Sequence, residues 1–317
     1  MKVANQIDLI IAGHTHENSH FFFNGVPVVS SVNNAKYANV VYLSFYRNKL
    51  QKDKTVIEGP LPVCSKVFSK NKICSFTLEE GETYQDYGSL EEFQFHGVTV
   101  KKNEKTTKII DGYSSYLGEK ANQVIFFNSA FMETNRYKET LLGNFITDVE
   151  KEMIGADIAI LNSGFFRKNW NIGNITVKDL FEMFPFSNEA TSFEMTGEEV
   201  VRMVKEVQYG TGHIFQSSGL IQFMKIAPDQ GRIVEKVTLS DGNELDPNKV
   251  YKIASIDFNI PLYMGSFSRI TNWYPEPRNL GKFGDFNDKM TKALSKITNL
   301  DPSKHYDINN LRVRYTN

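Results

Sequence analysis

The sequence predicts an α+β protein. Apolar, β-branched segments follow one another near the start of the chain, at "IDLIIA", "GVPVVSSV" and "NVVYLSFY". Residues 125–300 then mix helix-like and strand-like segments without a regular βαβ repeat. With 317 residues and 41% hydrophobic content, the chain is long enough for one large or two ordinary domains with their own cores.

Composition restricts the classes of partner. Lys+Arg is 36 and Asp+Glu is 37, so the formal net charge of −1 gives no electrostatic reason to expect nucleic acid or an anionic membrane. No apolar run approaches the ~20 residues needed to span a bilayer. The opening residues "MKVANQID" contain no apolar signal core, so we expect no secretory signal in this chain.

The N-terminal strands predict the end of an α/β or β-sandwich domain. Residues 7–12 are expected to form a buried strand. From about residue 50 to 105 the segments are charged and rich in turn residues, which indicates a linker with local structure. The stretch "TTKIIDGYSSYLGEKANQV" predicts a helix that leads into the second region.

Helices of the second region are indicated by apolar faces and caps. Thr176 with Asp179 predicts one helix start, and Thr196 with Glu199 fits a capping box before another. Two amphipathic faces are expected, one before and one after these starts. The first comprises Leu142, Phe145, Ile146, Val149 and Met153, and the second comprises Phe286, Met290, Leu294 and Ile297.

Cys64 and Cys74 are the two cysteines of the chain. Their spacing allows a small disulfide loop in an oxidising compartment. Two unpaired, partly buried thiols are the alternative, and the sequence does not decide between them.

A Gly-His-Thr-His turn follows the first predicted strand. The strand fixes the backbone, the glycine permits a tight turn, and His14 and His16 can reach different neighbouring ions. The alternative is that both are ordinary loop histidines. His20 is expected to be exposed without a role.

The segment "IDLIIAGHTHE…GVPVVSSVNNAKYANVVYL" resembles the last metal-binding motif and closing strands of the calcineurin-like metallophosphoesterase domain of 5′-nucleotidases. The resemblance implies that His14 and His16 each serve one ion of a two-metal centre, zinc or manganese, that activates water and clamps a phosphoryl group. The family's other metal ligands and its catalytic histidine precede this motif, and only twelve residues precede Gly13 here. We therefore expect no catalytic residue in this chain and no stable binding of the two ions.

Further motifs resemble, in order, the C-terminal domain of the same family, so that the resemblance covers roughly residues 7–265. They are "RYKETLLGNFITD", "ADIAILNSGFFR", "GNITVKDLFEMFPFSNE", "FEMTGEEV", "IFQSSGLIQF" and "VYKIASIDFN". The implied fold is the end of a metallophosphoesterase αββα sandwich followed by a mixed α/β domain. The implied segments are a sandwich remnant at residues 1–60, a linker with a helix at 61–124, the substrate-binding domain at 125–300 and a tail at 301–317.

The resemblance implies a nucleotide or nucleoside site. Arg136 and Arg167 would contact the substrate, because a guanidinium donates paired hydrogen bonds to phosphate or ribose oxygens. Asn162 would hydrogen-bond a purine edge, and Phe258 would stack on one face of the base. The alternative is that the arginines are surface ion-pair partners and that Phe258 belongs to the core.

The chain departs from the family pattern at several positions. Phe165 replaces a glycine of the family's Asn-Gly-Gly-Gly-Ile-Arg motif, so we expect a narrowed or reshaped pocket. The second stacking aromatic falls on Ile214, with Phe215 one position on. A Gly-Gly-Asp motif is absent from "NIPLYMGSFSR".

Two functions follow from the resemblance. The first is the C-terminal part of a metal-dependent 5′-nucleotidase that hydrolyses nucleoside 5′-phosphates to nucleoside and phosphate. The second is a nucleotide- or nucleoside-binding module without turnover. The resemblance implies an extracellular, periplasmic or secretory-pathway location, and it leaves the oligomeric state and base preference open.

Overall fold

The chain divides into two compact units, Met1–Ser114 and Ser115–Asn317. A computed structural model of the protein describes residues 6–32, 35–74, 87–260 and 278–316. Most of the "NIPLYMGSFSR" stretch and the aromatic, proline-rich segment that follows it lie outside the described residues. Helices and strands mix in the second unit, and the predicted α+β class is confirmed.

The first unit is built from short strands in small sheets. Its strands are β1 (Ile10–Ile11), β2 (Ser19–Phe23), β3 (Val26–Ser30), β4 (Tyr37–Tyr42), β5 (Phe45–Tyr46), β6 (Lys49–Leu50), β7 (Val56–Pro62), β8 (Lys66–Phe68), β9 (Leu90–Glu92), β10 (Gln94–Phe95) and β11 (Val98–Thr99). Strands β1, β3 and β2 form one sheet in that order, with β1 parallel to β3. The other strands pair as antiparallel hairpins or two-stranded ladders. A 3₁₀ helix spans Lys52–Lys54.

The prediction of a buried strand at residues 7–12 is wrong. Strand β1 contains two residues and lies at the edge of its sheet, where Ile11 is 80% exposed. Burial of an apolar strand requires a layer packed on its faces, and the hydropathy of "IDLIIA" cannot supply that layer. Strand β3 is the buried strand of this sheet.

Cys64 and Cys74 form a disulfide, with their Cα atoms 6.1 Å apart. Cys74 is buried and forms an isolated β-bridge with Val67. The bond therefore closes a small loop against β8.

The second unit contains ten strands and four complete helices among the described residues, and helix α1 (Glu104–Ala121) contains the boundary between the units. The strands are β12 (Val124–Asn128), β13 (Ile158–Asn162), β14 (Gly173–Thr176), β15 (Glu189–Thr196), β16 (Phe215–Ser218), β17 (Leu220–Ala227), β18 (Gly231–Leu239), β19 (Val250–Ile256), β20 (Arg278–Asp285) and β21 (Val313–Tyr315). The helices are α2 (Leu141–Ile154), α3 (Val177–Met183), α4 (Gly197–Val207) and α5 (Phe286–Leu294), with 3₁₀ helices at Ser163–Phe165 and Pro302–Lys304.

Local signals explain where these helices begin. Thr140 caps α2 by accepting a hydrogen bond from the Gly143 amide, and Gly155 ends it in the left-handed conformation at φ 64°. Complete capping boxes start α3 at Thr176 and α4 at Thr196, as predicted. The predicted apolar faces of α2 and α5 both pack into the core.

A five-stranded sheet with the order β16-β13-β19-β15-β20 is the middle layer of the second unit. Alternate residues of β13 face two different cores, as strand geometry requires. Ala159 and Leu161 pack with α2, α3 and α5, whereas Ile158 and Ile160 pack with α4, β17 and β18. Both faces of β13 are therefore covered, which explains its continuous apolar sequence.

The topology of this sheet brings four chain segments together at one end of its strands. Strand β19 runs parallel to β13, so both strands finish at that end. Strands β16 and β15 run antiparallel to β13 and β19, so both begin there. The residues after β13 and β19 and those before β15 and β16 are therefore neighbours.

None of the helices among the described residues is long and apolar enough to cross a membrane.

Candidate functional site

Arg136 and Arg167 lie close together at this end of the strands. The Arg136 carbonyl accepts hydrogen bonds from the Ile214 amide at 2.8 Å and from the Ser163 hydroxyl at 3.0 Å, which fixes the Arg136 backbone to the segments around β13 and β16. Arg167 follows the 3₁₀ helix, and its amide donates to the Met183 carbonyl at 3.0 Å. Partial burial and the charge of Arg136 lower the pKa of Arg167. Two guanidinium groups side by side give the site a positive charge.

Arg167 lies over an aromatic ring. Its Cζ atom is 5.0 Å from the ring centroid of Phe186, which is within cation–π distance. Phe186 is 40% exposed and also stacks on Phe165 at 6.2 Å. The ring is therefore supported by the core and still open to solvent.

Phe186 was missed by the sequence reasoning, although it lies within one of the quoted motifs. It comes three residues after the end of α3, outside any helical or strand periodicity, and it follows Pro185. A phenylalanine in such a position has no regular element to bury it. This position in the sequence is the signal that could have indicated an exposed ring.

Asn162 ends β13 with an unsatisfied amide. Its Oδ1 atom is buried without a hydrogen-bond partner in the described part of the chain. A Cβ atom built on Gly164 would lie 3.4 Å from Asn162 Nδ2 and 3.9 Å from His213 Nδ1. The glycine thus leaves a small space between an amide and an imidazole.

His213 is the second site residue that the sequence did not reveal. Asn162 pairs with Phe215 across β13 and β16, which brings His213 close to Gly164. The imidazole contacts the Tyr137 ring edge-on, with the centroids 5.4 Å apart.

Phe258 is 59% exposed on the turn that follows β19, so it is not a core residue. The Asp257 carboxylate holds this turn by accepting hydrogen bonds from the Asn188 side chain, the Glu189 amide and the Phe258 amide at 2.9, 3.1 and 2.9 Å. The turn is therefore tied to the segment that follows Phe186. Stacking of Phe258 on a base stays a prediction.

The structure shows where the two substituted pocket positions lie. Phe165 does not narrow the pocket, because the 3₁₀ helix turns this side chain into the core, where it stacks on Phe184 at 4.6 Å and supports the Phe186 ring. Ile214 is fully buried, so it is not available to a ligand, and Phe215 packs in the second core. His213, one position earlier, is the exposed ring of this segment.

His14 and His16 lie on an exposed turn of the first unit, with positive φ angles of 75° and 61°. Within residues 6–32, 35–74, 87–260 and 278–316, no three His, Cys, Asp or Glu side chains cluster as a metal site requires. Two imidazoles do not fit a two-ion centre, which also needs carboxylates to balance the charge. The described donor set therefore does not match such a centre.

Comparison with known proteins identifies the second unit. The family described as 5′-nucleotidase, C-terminal domain, matches residues 118–265. Protein UshA of Yersinia enterocolitica is 31% identical over 129 residues, which cover 39% of this chain and 22% of that protein. The trifunctional nucleotide phosphoesterase YfkN of Bacillus subtilis is 24% identical over 273 residues, which cover 81% of this chain and 17% of that protein. The chain thus spans about a fifth of the length of these curated relatives.

Solved structures agree on the fold. The 5′-nucleotidase precursor of Thermus thermophilus aligns with a TM-score of 0.67 at 17% identity, over 100% of this chain and 61% of that one. The sulfate thiohydrolase SoxB of the same genus aligns at 0.59 and 13% identity, over 98% of this chain and 50% of that one. The profile match, the UshA relatives and these folds agree that residues 118–265 are similar to the C-terminal domain of 5′-nucleotidases.

Proposed function

We propose that the second unit is the nucleotide-recognition domain of a metal-dependent phosphoesterase that hydrolyses nucleoside 5′-phosphates to nucleoside and phosphate. The observation that carries this proposal is the stack of Arg167 on the exposed Phe186 ring, with Arg136 close enough to lower the Arg167 pKa. A cationic pair beside an open aromatic ring suits a ligand with a phosphate at one end and a planar base at the other.

Each part of the site has a matching part of the ligand. Arg136 and Arg167 would donate hydrogen bonds to phosphate or ribose oxygens. Phe186 would stack on the base, and Phe258, on the turn tied to the Phe186 segment, would supply a second aromatic face. The unsatisfied Asn162 amide would pair with a polar edge of the ligand, which explains a buried oxygen without a partner.

Hydrolysis in this family requires divalent ions that activate water and clamp the phosphoryl group. His14 and His16 would each contribute one ligand to such ions. Because the described donors do not fit a two-ion centre, we derive no hydrolytic step through these histidines. A nucleotide-binding module without turnover is therefore the second candidate function.

The Cys64–Cys74 disulfide supports a location outside the reducing cytosol, because such bonds persist mainly in extracellular, periplasmic and secretory compartments. We propose that compartment for this chain.

The binding proposal is tested by a thermal-shift titration with AMP. AMP is expected to raise the melting temperature of the wild-type chain, because a ligand that binds only the folded state stabilises it. Arg167→Ala is expected to abolish the shift. Arg47→Ala is the matched control. Arg47 also lies over an aromatic ring, with its Cζ atom 5.3 Å from the ring centroid of Tyr46, but it belongs to the first unit. An unchanged shift in Arg167→Ala would reject the site.

The two candidate functions are separated by activity. Purified chain is incubated with AMP and Mn²⁺ or Zn²⁺, and released phosphate is measured. Release of many phosphate molecules per protein molecule supports the enzyme. AMP binding without phosphate release supports the binding module.

A further inference from the structure

The space over Gly164 is lined by two polar nitrogen atoms, one from the end of β13 and one from the loop before β16. Asn162 Nδ2 and His213 Nδ1 lie 3.4 and 3.9 Å from the position that a Cβ on Gly164 would take. Because Gly164 has no side chain, a polar ligand atom that packs against its backbone can approach both nitrogens. The Asn162 amide has a buried oxygen without a partner, so its orientation is not explained by contacts in the described protein.

The imidazole of His213 is surrounded by positive charge. Partial desolvation of the exposed ring lowers the His213 pKa, and the charges of Arg136, Arg167 and Arg232 lower it further. Tyr137 is the other titratable ring of this cluster, and it contacts the imidazole edge-on. Arg232, on β18, is buried and donates to the carbonyls of Gln208 and Gly212, which fixes the loop that carries His213.

We propose that His213 is a proton-coupled specificity residue of this site: its Nδ1 atom and the Asn162 amide hold one polar group of the nucleotide over Gly164, and the imidazole takes up a proton when the phosphate binds near the arginines. This inference rests on the proposed nucleotide-binding function. The ligand it selects is a nucleoside carrying a phosphate, in preference to the uncharged nucleoside.

The direction of the coupling follows from the charges. In the free site the three arginines favour the neutral imidazole, so His213 carries no proton charge at neutral pH. A bound phosphate places negative charge among these cations, which raises the pKa of the imidazole. Binding is therefore accompanied by proton uptake, and affinity rises as the pH falls between the pKa of the free site and that of the complex.

Proton uptake can be counted by calorimetric titration of AMP at one pH in two buffers of different ionisation enthalpy. The wild-type chain is expected to take up more protons than His213→Gln, by about one proton or less. The phosphate of AMP also titrates near pH ~6, but its contribution is common to both proteins and cancels in the difference. His20→Gln, which removes an exposed histidine on β2, is the matched control and should behave as wild type.

Adenosine and Gly164→Ala complete the test. Adenosine has no phosphate, so its binding to the wild-type chain should take up no proton. The added methyl of Gly164→Ala would make only ordinary van der Waals contacts in the free protein, so the variant should fold, yet it should bind AMP more weakly because the space is filled.

The outcomes separate this inference from the function on which it rests. If wild-type chain does not bind AMP, the proposed function fails and this inference fails with it. If wild type binds AMP but takes up the same number of protons as His213→Gln, the role of His213 is rejected and the proposed function stands.

Discussion

The guanidinium of Arg167 lies 5.0 Å from the ring centroid of Phe186. The two residues come from different elements, since Arg167 follows the 3₁₀ helix after β13 and Phe186 follows α3. Core stacking of Phe165 on Phe184 and Phe186 holds the ring in this position. The contact therefore depends on the packed core and presents a charged group and a flat surface together.

Phe186→Ala is expected to weaken AMP binding about 5- to 150-fold, because stacking on a base is worth about 1–3 kcal/mol by alanine substitution. Calorimetric titration measures the change. Phe181→Ala is the control, since Phe181 is 47% exposed on α3 and has no assigned contact with the ligand. Equal loss of affinity in both variants would show that general damage to α3 and the segment after it, rather than stacking, is responsible.

Asp257→Ala is expected to release the turn that carries Phe258. The carboxylate accepts hydrogen bonds from Asn188, Glu189 and Phe258, and their loss should lower the free energy of unfolding by about 1–2 kcal/mol. AMP affinity should fall as well, because the ring is no longer held in place. Asp241→Ala removes a similar turn carboxylate between β18 and β19, and it should leave AMP affinity unchanged. Wild-type affinity in Asp257→Ala would remove Phe258 from the site.

Asp148 on α2 fastens the C-terminal segment to the second unit. It accepts hydrogen bonds from Ser218, His305 and Arg312 at 2.6, 2.8 and 2.7 Å. Burial acts to raise the pKa of Asp148, but the hydrogen bonds from His305 and Arg312 outweigh it and hold the pKa below its usual value. A lowered pKa in the folded state means that Asp148 contributes stability above pH ~4 and loses it as the pH falls through the folded-state pKa.

Asp148→Asn is expected to lower the free energy of unfolding at pH 7 by about 2–3 kcal/mol, since it leaves Arg312 without its carboxylate. Urea unfolding at pH 7 and pH 3 measures the effect, which should shrink at the lower pH. Asp229→Asn, on an exposed turn, should have no such effect. An equal loss of stability at both pH values would contradict the assignment.

Glu150, two positions further along α2, has the opposite pH dependence. It is fully buried, neither carboxylate oxygen has a hydrogen-bond partner in the described structure, and burial raises its pKa well above the usual value. A raised pKa in the folded state means that stability is lost as the pH rises above the unfolded value near ~4.3. As the pH rises from 5 to 8, the free energy of unfolding should therefore fall less for Glu150→Gln than for wild type. Urea unfolding across that range measures the difference. Parallel stability profiles for the two proteins would show that Glu150 is ionised or paired in solution.

Local sequence signals predicted the helices of the second unit well. The caps at Thr176 and Thr196 and the apolar face of α2 depend on residues three or four positions apart, so the sequence contains them directly. The ordered motifs likewise predicted the family, and Arg136 and Arg167 do lie close together.

Features that depend on packing between distant segments were not predictable. Phe165 turns into the core because a 3₁₀ helix orients it, and β1 is exposed although its sequence is apolar. Phe186 and His213 reach the site only through the order of strands in the five-stranded sheet, which no local pattern encodes.

We propose above all that the residues around Arg167 and Phe186, at one end of the strands of the five-stranded sheet, bind a nucleotide. A crystal structure of the chain with AMP tests this most directly. We expect the base against Phe186 and the phosphate within hydrogen-bond distance of Arg136 or Arg167. AMP bound elsewhere, with Phe186 still open to solvent, would contradict it.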